Sequence, residues 1–322
     1  MSLPNFLIIG AAKSGTSSLY SYMGQHPEIY TCPIKGPCFF AFDEGHKVKV
    51  FGPGDQRVFD RHIVTDLRAY EALFDGVKKE KISGEASVLY LYSPTAPARI
   101  KRYIPQAKLI AILRNPVDRA FSSFLHLRRD GREQIDEFAE GLKAEEMRVN
   151  AQWQHLWHYT RVGFYHAQLQ RYYDLFSPSQ IAVYTYDEFT ADTPRVMREI
   201  FSFLGVDDTF VPDTSVRYNV SGDPKSRSIH NFLTRPNTIK KFVKPLLPVL
   251  LRRNLRAQAL QWNTVTGKRE LSTETRRYLV ELYREDIQKL EVLIQRDLSH
   301  WLNERQRPIK VKSPVAMVNT TR

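Results

Sequence analysis

Lys13 lies in a loop whose residue types suit an anion. The segment reads Phe6-Leu-Ile-Ile-Gly-Ala-Ala-Lys-Ser-Gly-Thr-Ser-Ser-Leu19. Phe6 to Ile9 predicts a buried strand, Gly10 ends it, and Leu19, Tyr22 and Met23 recur at helical spacing. A strand, a glycine-bearing loop and a helix N-terminus make a phosphate cradle. Successive backbone N–H groups point inward, and the helix dipole favours negative charge. Lys13 adds a full charge, and Ser14, Thr16, Ser17 and Ser18, with Gly15 among them, add hydroxyl donors. The spacing departs from the nucleoside-triphosphate loop, which runs Gly, four residues, Gly, Lys, Ser/Thr. Gly10 and Gly15 match it, but Thr16 stands where the lysine belongs. The loop therefore suits an anionic group on a nucleotide better than ATP with magnesium. Plain strand-to-helix turns of this kind also occur.

A second anion motif follows in Lys108-Leu-Ile-Ala-Ile-Leu-Arg-Asn-Pro-Val-Asp-Arg-Ala-Phe-Ser-Ser-Phe124. A buried strand ends at Arg114, Pro116 opens the next helix, and Ser122 lies two turns in. Ligands of open α/β sheets gather at the carboxyl ends of the strands. Arg114 at such an end can fork onto a phosphate, with Ser122 as a second donor. Two anion sites on neighbouring strand ends point to one ligand carrying two separated anionic groups.

The elements that must position these residues alternate between strand and helix, as in a parallel sheet with crossover helices. Strands are expected at Phe6–Gly10, Lys81–Ala86, Lys108–Arg114 and Ile181–Tyr186. Helices are expected at Ser17–Gln25, Asp66–Leu73, Ala96–Tyr103, Asp118–Arg129, Glu133–Met147, Phe164–Leu175 and Thr193–Leu204, the last closed by Gly205. A long final helix should start after the N-cap Ser272. The expected fold is a P-loop-like three-layer α/β domain spanning residues 1–307, followed by a flexible tail at 308–322.

The 322 residues carry a net charge of +12. That suggests an anionic ligand, an acidic polymer or a membrane surface without choosing among them. Nine of the Lys and Arg residues fall between Lys225 and Arg256, where no Asp or Glu occurs. The stretch reads either as a solvated basic face or as a patch meeting an anion. The two cysteines, Cys32 and Cys38, exclude a disulfide framework. With no apparent targeting segment and no membrane-length apolar run, a cytoplasmic setting is expected.

These motifs resemble the sulfotransferase family that uses 3′-phosphoadenosine 5′-phosphosulfate, in its bacterial, heparan-sulfotransferase-like branch. Lys13-Ser-Gly-Thr-Ser-Ser-Leu is similar to the family's 5′-phosphosulfate loop, and Arg114-Asn-Pro-Val-Asp-Arg-Ala-Phe-Ser-Ser to its 3′-phosphate motif. Supporting blocks are Lys35-Gly-Pro-Cys-Phe-Phe40, Gly84-Glu-Ala-Ser87, Gly163-Phe-Tyr165, Asn219-Val-Ser-Gly-Asp-Pro-Lys-Ser-Arg227 and Asp297-Leu-Ser-His-Trp-Leu302. The resemblance implies a sulfuryl transfer without a metal. Lys13 would hold the bridging and leaving oxygens, Arg114 and Ser122 the 3′-phosphate, and Lys225 and Arg227 a loop closing over it. The acceptor would be a hydroxyl or amine of a small molecule or sugar. Rival readings are a P-loop kinase, which Thr16 disfavours, and a basic nucleic-acid or polysaccharide module, which leaves Arg114 and Ser122 unexplained. Nucleic acid is therefore not an expected partner, and the oligomeric state stays open.

On the acceptor side the chain departs from the resemblance. Gly36 and Cys38 stand where the heparan-type branch has the glutamate that serves as its base and a histidine, and Ala86 stands where many relatives carry lysine. Glu85, at the end of a predicted central strand, is the first candidate for a replacement base, with a structural role as its alternative. His26, Asp43 and Glu44 are weaker candidates, whereas His126, one turn beyond Ser122 on the same helix face, is expected only to line the nucleotide site. Lys35 is expected to help electrostatically near the sulfuryl group.

Overall fold

A computed structural model describes residues 3–215 and 269–304 of the chain. Five parallel strands form one sheet: β1 (Phe6–Gly10), β2 (Ile29–Thr31), β3 (Ile82–Ala86), β4 (Lys108–Leu113) and β5 (Ile181–Thr185), in the order β2-β3-β1-β4-β5. β1 pairs with β3 through Phe6 against Gly84 and with β4 through Phe6 against Lys108. The chain leaves β1 toward β2 on one side and later places β4 on the other. The crevice between the carboxyl ends of β1 and β4 is thus the topological switch point, where open α/β sheets take their ligands.

β1 is buried on both faces, as parallel strands are. Leu7 and Ile9 face a layer containing Phe39, Phe40, Tyr70, Tyr90, Trp157, Tyr165, Tyr283 and Trp301. Phe6 and Ile8 face the opposite layer with Leu19, Met23, Ile200 and Phe201. Helices among the described residues are α1 (Thr16–Met23), α2 (Asp55–Phe59), α3 (Leu67–Glu71), α4 (Leu89–Tyr92), α5 (Ala96–Tyr103), α6 (Pro116–Arg129), α7 (Phe138–Lys143), α8 (Glu145–Asn150), α9 (Tyr165–Tyr173), α10 (Tyr186–Ala191), α11 (Thr193–Leu204) and α12 (Thr273–Ile294). None of them is long and apolar enough to cross a membrane.

The expected strands and α5 and α11 fall where the sequence put them, within a residue. Gly205 takes the left-handed conformation after α11, and the Ser272 side chain caps α12. The helix expected over Glu133–Met147 is instead two short helices, α7 and α8. Glu133 is not on a helix face; it is buried in a bidentate pair with Arg148, at 2.7 and 3.0 Å, and accepts the Tyr159 hydroxyl at 2.6 Å. The helix expected over Asp66–Leu73 is shortened to α3 and finishes in a 3₁₀ turn at Ala72–Phe74. The expected 308–322 tail, Lys225 and Arg227, and the rest of the basic stretch from Lys225 to Arg256 lie outside the described residues.

Candidate active site

The loop after β1 and the loop after β4 meet directly. Arg114 Nη1 donates to the Lys13 carbonyl at 3.2 Å, and the Tyr165 hydroxyl donates to the Arg114 carbonyl at 3.0 Å. Asn115 caps α6 by accepting from the Val117 and Asp118 amides, while its Nδ2 donates to the Trp301 carbonyl at 3.1 Å. Blocks far apart in sequence, around Lys13, Arg114, Tyr165 and Trp301, thus form one assembly at the switch point.

Gly15 is the N-cap of α1 at φ 87°, a left-handed conformation that disfavours side chains. A Cβ there would also lie 3.1 Å from the Tyr186 ring. The same ring sits under the Arg114 guanidinium at 4.9 Å. Tyr186 therefore supports both anion motifs. In the sequence Tyr186 reads only as the end of a strand; its signal is its place directly after β5, at the same sheet edge.

Lys13 is mostly buried, and its ammonium pKa falls from 10.5 to about 7. Burial is the main cause, followed by the charge of Arg129; Arg114 and Lys35 add to the lowering, and Asp130 partly opposes it. Lys35 reaches the same loop and donates to Ser17 Oγ, and burial lowers its pKa to about 8. Four cations thus converge, with the Asp130 carboxylate acting on Lys13 and the Asp187 carboxylate on Arg114, and a bound anion relieves their mutual repulsion. Ser14 is wholly buried, and its Oγ makes no hydrogen bond of good geometry. Thr16 and Ser122 are buried, while Ser17 and Ser18 are half-buried around the first turn of α1. The donors at hand fit a dianionic phosphate ester: backbone N–H groups, hydroxyls, a guanidinium and two ammonium groups.

The candidate bases are placed quite differently. Glu85 is fully buried in β3, where its carboxylate accepts the Tyr70 hydroxyl at 3.3 Å and the Ser87 hydroxyl at 2.8 Å. Burial raises its pKa to about 7. Ser87 Oγ in turn accepts the Cys38 amide at 2.9 Å, so Glu85 braces the turn that carries Lys35. His26 is buried far along the chain's other layer; its Nδ1 accepts from the Glu28 amide and its Nε2 meets the Asp207 carbonyl. Asp43 is exposed opposite Arg99, and Glu44 accepts the Tyr103 hydroxyl. His126, by contrast, stands on α6 within the electrostatic reach of Lys13, partly open to solvent. Its imidazole is held neutral, with its pKa well below the ordinary value, by burial and then by the charges of Lys13 and Arg129. Lying one turn past Ser122 was the sequence signal for His126; its nearness to Lys13 required the fold.

The switch-point crevice and the cation-lined loop, with Thr16 and not lysine after Gly15, suit an anionic nucleotide. The sequence profile of the Sulfotransferase family matches residues 4–210, and the chain belongs to that family. Its fold matches the crystal structure of a sulfotransferase from Alicyclobacillus acidocaldarius with a TM-score of 0.74 and 38% identity, over 94% of this chain and 100% of that one. The bifunctional heparan sulfate N-deacetylase/N-sulfotransferase 4 of Mus musculus is 29% identical over 210 residues, and isoform 3 of Homo sapiens is 31% identical over 212. Each alignment takes in 63% of this chain, which spans 22% of the length of these curated relatives.

Proposed function

We propose that the protein transfers the sulfuryl group of 3′-phosphoadenosine 5′-phosphosulfate to a hydroxyl or amine of a small-molecule or sugar acceptor. The observation that carries this reading is the convergence of Lys13, Lys35, Arg114 and Arg129 on a P-loop-like cradle with Thr16 in the triphosphatase lysine position. When bound, the donor supplies the sulfuryl group and a phosphate leaving group. Lys13 is placed to stabilise charge growing on the leaving oxygens, and Lys35 to hold the anion from the side of Ser17. Arg114, steadied by Tyr186 and Tyr165, and Ser122 hold the non-reacting 3′-phosphate. Lys225 and Arg227 complete that grip by family resemblance.

As a base, His126 best combines charge and access: it is neutral, partly accessible and within the electrostatic reach of Lys13. Glu85 serves the site from behind, through Ser87 and the Cys38 amide. With Gly36, Cys38 and Ala86 in the acceptor-side positions, the acceptor differs from the heparan sulfate named for the curated relatives. Two thiols, both buried and unpaired, support a reducing, cytoplasmic setting.

The test is incubation with the sulfonated donor and a panel of amines, sugars and small alcohols, read as gain of one sulfo group by mass spectrometry. Thermal melts with adenosine 3′,5′-bisphosphate should show stabilisation without magnesium by mass action. Stabilisation by ATP–magnesium and not by the bisphosphate would favour a kinase instead.

A further inference from the structure

Arg129 occupies a nitrogen that a base at His126 needs. Its Nη2 lies 2.7 Å from His126 Nδ1. A guanidinium has five N–H donors, no acceptor, and stays protonated. Nδ1 must therefore be the acceptor, and a neutral ring then carries its proton on Nε2. Arg129 is itself anchored on Asp130 Oδ1, with Nε at 3.2 Å and Nη2 at 3.3 Å. The other oxygen of Asp130 stands 3.6 Å from His126 Nε2, beyond hydrogen-bond range. The charged groups facing the ring are thus Lys13 from the loop after β1, and Arg129 and Asp130 from its own helix and its end. In this state the ring's lone pair is covered by a cation and its free edge is an N–H. It is arranged to donate a hydrogen bond, not to take a proton.

Resting on His126 as proton acceptor, we propose that Arg129 is a positioning residue that masks the His126 base nitrogen until an anionic donor draws the guanidinium away. Arg129 already lies close enough to Lys13 to be the leading charge acting on it, so it borders the pocket in which the phosphosulfate would sit. A phosphate or sulfate accepts charge-assisted, forked bonds from a guanidinium, which a single neutral imidazole nitrogen does not match. Once the guanidinium turns, Nδ1 is open and the ring loses a neighbouring cation while gaining a nearby anion. Both changes favour its taking up a proton. Proton acceptance is thereby tied to donor occupancy, and water meets a masked base when the donor is absent.

Nitrogen-15 NMR of the histidine rings in the full chain tests this, with the His126 signals assigned by their loss in His126→Asn. In the free protein at pH 7.5, Nδ1 should be unprotonated and Nε2 protonated. Adenosine 3′,5′-bisphosphate should shift the ring to mixed tautomers and raise its pKa by about one unit or more. Arg129→Met, which keeps length but has no donor, should show mixed tautomers without ligand, and the bisphosphate should then change the tautomer ratio little. A free wild-type ring already protonated on Nδ1 would overturn the proposal, as would an Arg129→Met ring identical to the wild type. The underlying reading fails separately: His126→Asn with full turnover removes His126 as base whatever the NMR shows.

Discussion

Glu85→Gln separates a structural carboxylate from a catalytic one through stability as well as rate. The Glu85 carboxyl is wholly buried, met by the Tyr70 and Ser87 hydroxyls, with desolvation pushing its pKa from 4.5 to about 7. A raised acid pKa means the folded chain binds this proton more tightly than the unfolded chain. Between about pH 4.5 and 7 the unfolded state has released a proton that the native state still holds. Stability from this group is therefore fully present below 4.5, is lost as pH rises toward 7, and is level above it. At about 1.4 kcal/mol per pH unit, the displacement amounts to roughly 3 kcal/mol. Gln keeps the shape and cannot ionise, so the variant should escape this loss. Near pH 5 the two proteins should be close in stability. At pH 8.5 the variant should be more stable by up to roughly 3 kcal/mol, or several degrees in Tm. Denaturant melts of both proteins at the two pH values measure the difference of differences. Parallel pH dependences would refute the reasoning. A turnover loss of about a hundredfold or more with unchanged melts would instead restore Glu85 as the base.

Lys13→Ala should lower turnover by a factor of at least about 10²–10³, because its charge acts on the leaving oxygens; single-turnover assays with saturating donor check it. Arg114→Ala should weaken adenosine 3′,5′-bisphosphate binding by about 1.5–3 kcal/mol, and unchanged affinity by calorimetry would remove it from the site. Bisphosphate affinity should fall as pH rises from 7 to 9, since Lys13 and Lys35 lose their charges near 7 and 8 and must regain protons to hold the anion. Calorimetry in buffers of different ionisation heat should register that proton uptake at pH 8, and a flat affinity would contradict it. Gly36→Glu should fold but lose about 1–2 kcal/mol, because Gly36 has φ 83° although the nearest atom to a Cβ, the Ala86 carbonyl oxygen, is 4.0 Å away. Melts that match the wild type would show that the turn can relax to accept a side chain.

The anion loops were legible in the sequence because their chemistry is local. Consecutive residues from Gly10 to Ser18 supply the amides, hydroxyls and charge, and apolar runs announce the strands whose ends carry Lys13 and Arg114. Parallel pairing of β1 with β4 then follows from the alternating pattern, so their meeting could be foreseen. The short edge strand β2, with three residues, and the single-turn helix α4 gave no periodicity to read. The acceptor side depended on tertiary structure for a different reason. A carboxylate at a strand end looks reactive in sequence, but strand register decides its surroundings: Glu85 pairs beside Leu7 and is enclosed by Tyr70, Tyr90 and Ser87. Its pKa and role come from that enclosure. His126 and Arg129 are three apart on one helix, so their contact is local, although nothing in the sequence singles out Arg129. Their nearness to Lys13 is not local; it exists because α6 follows β4 across the switch point from the loop after β1. Residue types set what each group can do, and the packing of distant segments set the charge, access and tautomer in which it does it.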